Sequence, residues 1–264
     1  MKKYLLLLII LILVGCQQSI SIGNNNISVE TVANTNRVYQ EAWQELQAGL
    51  NFKEIPVYSS TDKTKINDLI MVFKFQPDKF KFALQQQVTE PLSVSAWQEK
   101  FQALFVCNGG YFLENNQPAE LLKINGEKFG TNLTSASVGE LVINDHGLLD
   151  IQANADITNE QNILQSYPLL ISPDKKENIA SDSGQVAPRT IVAKDNAGNI
   201  LFIFTKNYYF SLYTLQNYLK KSDLNLAIAL NLDGGPSSGY SLNTTPPMVS
   251  DSAEVPNVVM VFVK

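Results

Sequence analysis

Two stretches of this chain end an apolar run in an amide or an acid followed by paired glycines: Asn108-Gly109-Gly110 and Asp233-Gly234-Gly235. Asp233 puts a carboxylate at the mouth of the run Leu226–Leu232, and Pro236, Ser237 and Ser238 follow it. Successive backbone N–H groups in such a turn converge into an anion-binding nest, and the two hydroxyls add donors. The alternative is a tight turn in which Asp233 caps its own backbone. A third group, Arg189, stands between the polar stretch 172–187 and the apolar run from Thr190 to Ala193. A guanidinium at such a junction is either one half of a structural ion pair or a bidentate clamp on a phosphate.

Other chemistries lack the residues for it. The single histidine, His146, lies in Asn144-Asp145-His146-Gly147, a composition that reads as a hairpin tip, so neither a Ser-His-Asp triad nor a histidine-based zinc site is expected. Cys107 sits on an apolar strand with no histidine near it in sequence and reads as a buried thiol rather than a nucleophile. No P-loop or EF-hand spacing occurs. No cofactor is implied, although Asp233 and Asn108 carry oxygen ligands that suit Ca²⁺ or Mg²⁺.

The elements that must position these groups repeat. Ser93 or Ser95 caps a helix running through Trp97 to about Phe101, which leads into the strand Ala103–Cys107 and the first Gly-Gly turn. Ser211 caps a longer helix, with Leu212, Leu215 and Leu219 on one face, which leads into the strand 226–232 and the second turn. Helix, buried strand and Gly-Gly turn thus occur twice. Ligands in open α/β sheets collect beyond the carboxyl ends of strands, so the two turns are expected side by side, lining one cleft; the alternative is two unrelated tight turns.

The remainder reads mostly as β. Leu69–Phe75 and Phe80–Leu84 flank Gln76-Pro77-Asp78 and are expected to pair as a hairpin. Asn125-Gly126 joins 121–124 to 128–129, and the His146 tip joins 141–143 to 148–151. Residues 154–165 read as polar connection, 167–171 as a strand, and 172–187 as a long loop. Asp195–Gly198 turns the strand after Arg189 back into Ile200–Phe204. Val38–Leu50 has helical spacing at Val38, Ala42, Trp43 and Leu46 and reads as a short amphipathic helix or a loop.

The N-terminus carries an address. Lys2 and Lys3 precede an apolar run from Tyr4 to Val14, too short to span a bilayer and suited to a secretory signal. It ends Leu13-Val14-Gly15-Cys16, similar to a bacterial lipobox, so Cys16 is expected to be acylated after residues 1–15 are removed. Residues 16–36 then form a polar tether and 37–264 the folded domain. Loss of the leader removes two lysines and no acid, taking the net charge from −5 to −7. With no basic stripe, a nucleic-acid partner is not expected. With Cys16 lipidated, Cys107 has no disulfide partner, and stability must come from the core of a sequence that is 45% hydrophobic.

Four ordered segments carry a resemblance. Asn108-Gly-Gly-Tyr-Phe112, Arg189-Thr-Ile191 with its hairpin, the 211–221 helix and Asn231-Leu-Asp-Gly-Gly-Pro-Ser-Ser238 are similar to motifs of the phosphodiester glycosidase family. The final strand, 256–262, resembles the family's last strand, and the likeness covers about residues 65–264. Three places depart from the pattern: Pro236, Glu120 and Lys206-Asn207. The resemblance implies an α+β fold of mixed central β-sheets flanked by a few helices. It also implies a cleft formed by Asn108-Gly109-Gly110, Arg189-Thr190 and the segment Asp233, Gly234, Gly235, Ser237, Ser238.

The implied reaction is hydrolysis of a sugar 1-phosphodiester at the anomeric C–O bond. The phosphate charge is expected to fall to Arg189 and the N–H groups of Gly234, Gly235 and Ser237, and the sugar cation to Asp233 as nucleophile, base or stabiliser. Asn108 is expected to hold a sugar hydroxyl or the phosphate. Glu114 and Glu120 are the candidates for a second carboxylate. The partner expected is a phosphodiester-linked glycan of the cell envelope, met by a protein held to the membrane through its lipid. The alternatives are a sugar-phosphate-binding lipoprotein without turnover and a phosphodiesterase that cleaves P–O.

Overall fold

A computed structural model describes residues 37–154, 156–174 and 178–264; the leader, Cys16 and the tether lie outside the described residues. The chain opens with strands β1 (Gln44–Gln47), β2 (Leu50–Tyr58), β3 (Ile66–Phe75) and β4 (Phe80–Gln86), then helix α1 (Val94–Phe101). Seven strands follow: β5 (Phe105–Asn108), β6 (Leu122–Ile124), β7 (Glu127–Phe129), β8 (Gly139–Ile143), β9 (Leu149–Ala153), β10 (Asn162–Ser166) and β11 (Leu169–Ile171). The last part holds β12 (Arg189–Asp195), β13 (Ile200–Thr205), α2 (Leu212–Lys221), β14 (Leu226–Asn231), β15 (Tyr240–Leu242), β16 (Met248–Ser250) and β17 (Asn257–Val263). Ser93 and Ser211 cap the two helices, their side chains accepting from Ala96 N–H and Thr214 N–H.

The strands form three sheets, in the orders β1-β2-β3-β13-β12-β14-β11, β7-β6-β10-β8-β9 and β16-β15-β5-β17-β4. The fold is α+β, and pairing between the strands named is antiparallel throughout. Alternation of side chains divides the core. Met71, Phe73 and Phe75 of β3 and Phe202 and Phe204 of β13 turn to one face, against Phe82, Phe105, Leu141 and Val261 of the other two sheets. Ile70, Val72, Leu201 and Ile203 turn to the opposite face, covered by Leu215 and Leu219 of α2. Val106, Val258 and Met260 face out of the third sheet onto Val94 and Trp97 of α1. The seven-stranded sheet is therefore apolar on both sides, as the unbroken apolar run of β13 requires. Phe73 lies at the centre, its ring 4.8 Å from Tyr240, 5.0 Å from Phe52 and 5.3 Å from Phe105. Each such pair adds about 0.5–1.5 kcal/mol beyond area burial.

Three local expectations are corrected. Residues 38–50 hold a hairpin arm rather than a helix or loop: Gly49, at φ 82°, turns β1 back onto β2. Val38 is 92% exposed, so an apolar helix face had nothing to cover, whereas β2 offered a sheet edge. β3 and β4 are strands but do not pair, because β3 lies between β2 and β13 and β4 lies beside β17. Their aromatic residues meet edge to face in the core instead, with Phe75 5.1 Å from Phe80 at an interplanar angle of 87°. The polar connection 154–165 contains β10, the middle strand of the second sheet. Its buried Gln165 bonds Asn132, Leu133 and Glu140, and polar residues satisfied in this way leave no apolar signature.

Candidate active site

Asn108 ends β5 and Asn231 ends β14, and these strands belong to the third and first sheets. The two Gly-Gly turns therefore lie side by side, at the junction of two sheets. Asp233 N–H donates to Gly109 O at 3.2 Å, and Asn108 Nδ2 donates to Asp233 O at 2.8 Å. Glycine is required by close approach at both corners. A Cβ on Gly109 would stand 2.1 Å from Asn257 Oδ1, and one on Gly234 2.8 Å from Pro188 O.

Antiparallel pairing brings in the third segment. β12 runs against β14 with Ile191 opposite Asn231, so the start of β12 lies where β14 ends. Leu232 N–H donates to Thr190 O at 2.8 Å and Gly235 N–H to Pro188 O at 2.8 Å. Asn108, Arg189 and Asp233, distant in sequence, belong to one neighbourhood.

Within it, several residues expected to hold substrate hold the protein instead. Asn108 is 1% exposed, and its Oδ1 accepts from Thr190 Oγ1 at 2.8 Å and Gly239 N–H at 3.2 Å. Thr190 Oγ1 is also 2.9 Å from Ser238 Oγ. Asn108, Thr190 and Ser238 form a clasp joining three segments, which leaves Asn108 no free end for a sugar hydroxyl, a phosphate or a cation. The expected anion nest is filled from within. Gly234 N–H donates to Asp233 Oδ1, Gly235 N–H to Pro188 O, Ser237 N–H to Gly234 O and Ser238 N–H to Gly235 O. A 3₁₀ turn over Gly235–Ser237 directs these donors inward, and Pro236 has none. At the other corner Gly109 N–H donates to Asn257 O at 2.9 Å, and Gly110 O accepts from Asn257 Nδ2 at 3.3 Å.

The groups left for chemistry are Asp233, Glu120, Arg189 and Tyr111. Burial raises the Asp233 carboxyl above the usual carboxylate range, against hydrogen bonds from the Ser237 hydroxyl and Gly234 N–H that favour its charged form. Glu120 is 7% exposed, and burial pushes it up to about 7, with the charge of Asp233 adding to the shift. Arg189 is half-buried; Nη2 donates to Gln185 O at 2.8 Å, and burial lowers its basicity. Tyr111 is raised, first by burial and then by Asp233. Its hydroxyl accepts from Asn231 Nδ2 at 2.7 Å and donates to Tyr167 O at 3.2 Å.

Buried polar atoms without partners gather here. Among the described residues nine such side-chain atoms occur, and four of them, Glu120 Oε2, Arg189 Nε, Asn231 Oδ1 and Asn257 Oδ1, belong to this neighbourhood. A buried polar atom without a partner is a place where water or a ligand can complete the bonding. Of the two candidates for a second carboxylate, Glu114 is exposed and Glu120 is the one beside Asp233. Asn231, Asn257, Tyr111 and Tyr167 were not expected as site residues. Asn231 had a signal, since it repeats Asn108 ahead of a Gly-Gly turn. Asn257 and Tyr167 had none.

The other reactive side chains do not enter the site: Cys107, though next to Asn108, turns into the apolar core. His146 is exposed at its hairpin tip, and Cys107 is buried with its thiol pushed far up by desolvation. A cavity of about 640 Å³ at the Leu226 end of β14, away from Asp233, is lined by Ser172, Asn196, Leu219 and Asn225 and, among the described residues, by no carboxylate. Among the described residues no three His, Cys, Asp or Glu side chains gather to hold a metal.

The sequence pattern of the phosphodiester glycosidase family matches residues 101–262. No curated protein sequence matches the chain. Among solved structures, the zebrafish N-acetylglucosamine-1-phosphodiester alpha-N-acetylglucosaminidase catalytic domain, auto-inhibited by its pro-peptide, is similar at 14% identity and a TM-score of 0.63. That match covers 86% of this chain and 87% of the zebrafish one. A hypothetical protein from Synechocystis is similar at 16% identity and a TM-score of 0.59, over 84% of this chain; the match spans 63% of the Synechocystis protein. At these identities the two structures show a shared fold.

Proposed function

The chain belongs to the phosphodiester glycosidase family, and we propose that it hydrolyses the glycosidic bond of a sugar 1-phosphodiester in an envelope or extracellular glycan. One observation carries this reading. Two carboxyl groups, both raised by burial, share a site with a half-buried guanidinium whose Nε has no partner among the described residues. Pairs of carboxylates are what glycoside hydrolysis uses, and a guanidinium with donors to spare recognises phosphate.

The roles follow from how each group is held. Arg189 has one Nη engaged with Gln185 and presents the rest of its fork to the phosphodiester. Asp233, fixed by Gly234 N–H, faces the anomeric carbon and stabilises the positive charge that develops there. Water adds to C1 and passes a proton to Glu120 Oε2 while the C1–O bond breaks. The bonding pair leaves with a phosphate monoester, whose second pKa is about 6, so the leaving group departs at neutral pH without a proton donor. Anchoring through an acylated Cys16 would hold this site over the envelope polymers it acts on.

The methyl esters of glucose 1-phosphate and N-acetylglucosamine 1-phosphate test the reading in ¹⁸O-water. Free sugar and unlabelled methyl phosphate are expected. Label in the methyl phosphate would mean P–O cleavage, and tight binding without turnover would mean a binding protein. Asp233→Asn is expected to lower turnover by at least ~10²-fold with inorganic phosphate still bound, whereas Arg189→Ala is expected to lose phosphate binding.

A further inference from the structure

We propose that Tyr167 and Tyr111 form an aromatic platform on which the pyranose ring of the substrate stacks, on the side of Asp233 opposite Arg189. This rests on the phosphodiester glycosidase reading and extends it to how the sugar is held. The argument is one of strand register. β14 lies between β12 and β11, and both run antiparallel to it. Each neighbour therefore begins beside the place where β14 ends. β12 begins with Arg189; β11 is entered through Tyr167-Pro168, and Asn231 N–H donates to Pro168 O at 3.1 Å. Asp233 thus has a guanidinium on one flank and a tyrosine on the other. The scissile C1–O bond also has two sides, a phosphate and a sugar, and when it lies over Asp233 with its phosphate on Arg189 its sugar faces the tyrosines.

The local chemistry suits a sugar ring. Tyr167 is 42% exposed, in a fold that buries nine of its thirteen phenylalanines. Its ring centroid is 5.2 Å from that of Tyr111, at an interplanar angle of 39°. Its position is fixed through the backbone, since Tyr167 O accepts from Tyr111 Oη at 3.2 Å and from Asn231 Nδ2 at 3.2 Å. Tyr111 in turn feels the charges of Asp233, Arg189 and Glu120, so the pair leads from the surface to the carboxylates. The C–H faces of a pyranose carry partial positive charge and the face of an aromatic ring partial negative charge, which makes an ordered, exposed ring a natural surface for sugar. A platform held by backbone hydrogen bonds loses little entropy on binding.

Titration calorimetry with the folded chain tests this, comparing glucose 1-phosphate and N-acetylglucosamine 1-phosphate with inorganic phosphate. Tyr167→Ala is expected to weaken binding of both sugar phosphates by about 5- to 10-fold while leaving inorganic phosphate unchanged, and to raise KM for the methyl diesters more than it lowers kcat. Tyr167→Phe and Tyr167→Trp, which keep a ring, are expected to recover the sugar-phosphate affinity, which also guards against misfolding of the alanine variant. Unchanged sugar-phosphate binding in Tyr167→Ala, an equal loss for inorganic phosphate, or a wild type that binds sugar phosphates no more tightly than phosphate would each overturn the platform. A wild type that discriminates through Tyr167 yet hydrolyses none of the diesters would uphold the platform and overturn the proposed reaction.

Discussion

Glu120 and Asp233 are both carboxyl groups raised by burial, and they differ in what holds them. Asp233 accepts hydrogen bonds from the Ser237 hydroxyl and Gly234 N–H, whereas Glu120 accepts one from its own backbone, leaves Oε2 without a partner among the described residues and holds its proton up to about pH 7. This difference suits them to separate tasks, a fixed charge and a proton acceptor. It also predicts a pH signature. In the unfolded chain Glu120 releases its proton near the ordinary glutamate value, and in the native chain only near 7. Between those values the native state binds more protons, so this residue's contribution to stability is complete at low pH and is lost as pH rises towards 7. Glu120→Gln removes that dependence. Its melting temperature relative to wild type is expected to climb between pH 5 and pH 8, and the rise of turnover near pH 7 is expected to vanish. Parallel profiles for the two proteins would show that Glu120 is not the titrating group.

Strands, turns and caps supply the frame that holds those residues. Both helices begin at serines with hydrogen-bonded caps, and the strands ending in Asn108 and Asn231 stop one and three residues before their glycine pairs. What joins these elements is the Asn108 clasp, which reaches the Asp233 turn, Thr190 of β12 and Gly239 ahead of β15. Asn108→Ala leaves a buried carbonyl, a hydroxyl and an N–H to find other partners. A loss of about 2–4 kcal/mol in urea unfolding is expected, with turnover falling because Asp233 and Arg189 drift apart. Asn108→Ala with wild-type stability would mean that the turns hold each other without it.

At the scale of the whole molecule, three sheets share one aromatic core, and the site lies where the ends of β5 and β14, from the third and first sheets, come together. A site at such a junction depends on the packing of both layers and cannot be carried by either alone. The membrane setting proposed for it rests on the leader and Cys16. Cys16→Ser is expected to leave the chain unacylated, moving it from the membrane pellet to the soluble fraction of a bacterial host with its hydrolytic activity retained. Membrane association unaffected by this change would rule out the lipid anchor.

The sequence by itself determined what short-range chemistry decides. Capping serines, turn-forming Gly-Gly and Asn-Gly pairs and unbroken apolar runs placed both helices, the strands before the two corners and the hairpins at Asn125 and His146, and the ordered motifs pointed to the family. Tertiary structure decided everything that depends on which distant group stands alongside. Whether Phe75 and Phe80 pair along a strand edge or across a core, whether Asn108 grips substrate or backbone, and whether the N–H groups after Asp233 are free all turn on partners remote in the chain. So does Glu120, an ordinary acid in sequence, because desolvation and the nearness of Asp233 arise only when residues more than a hundred positions apart enclose the same space.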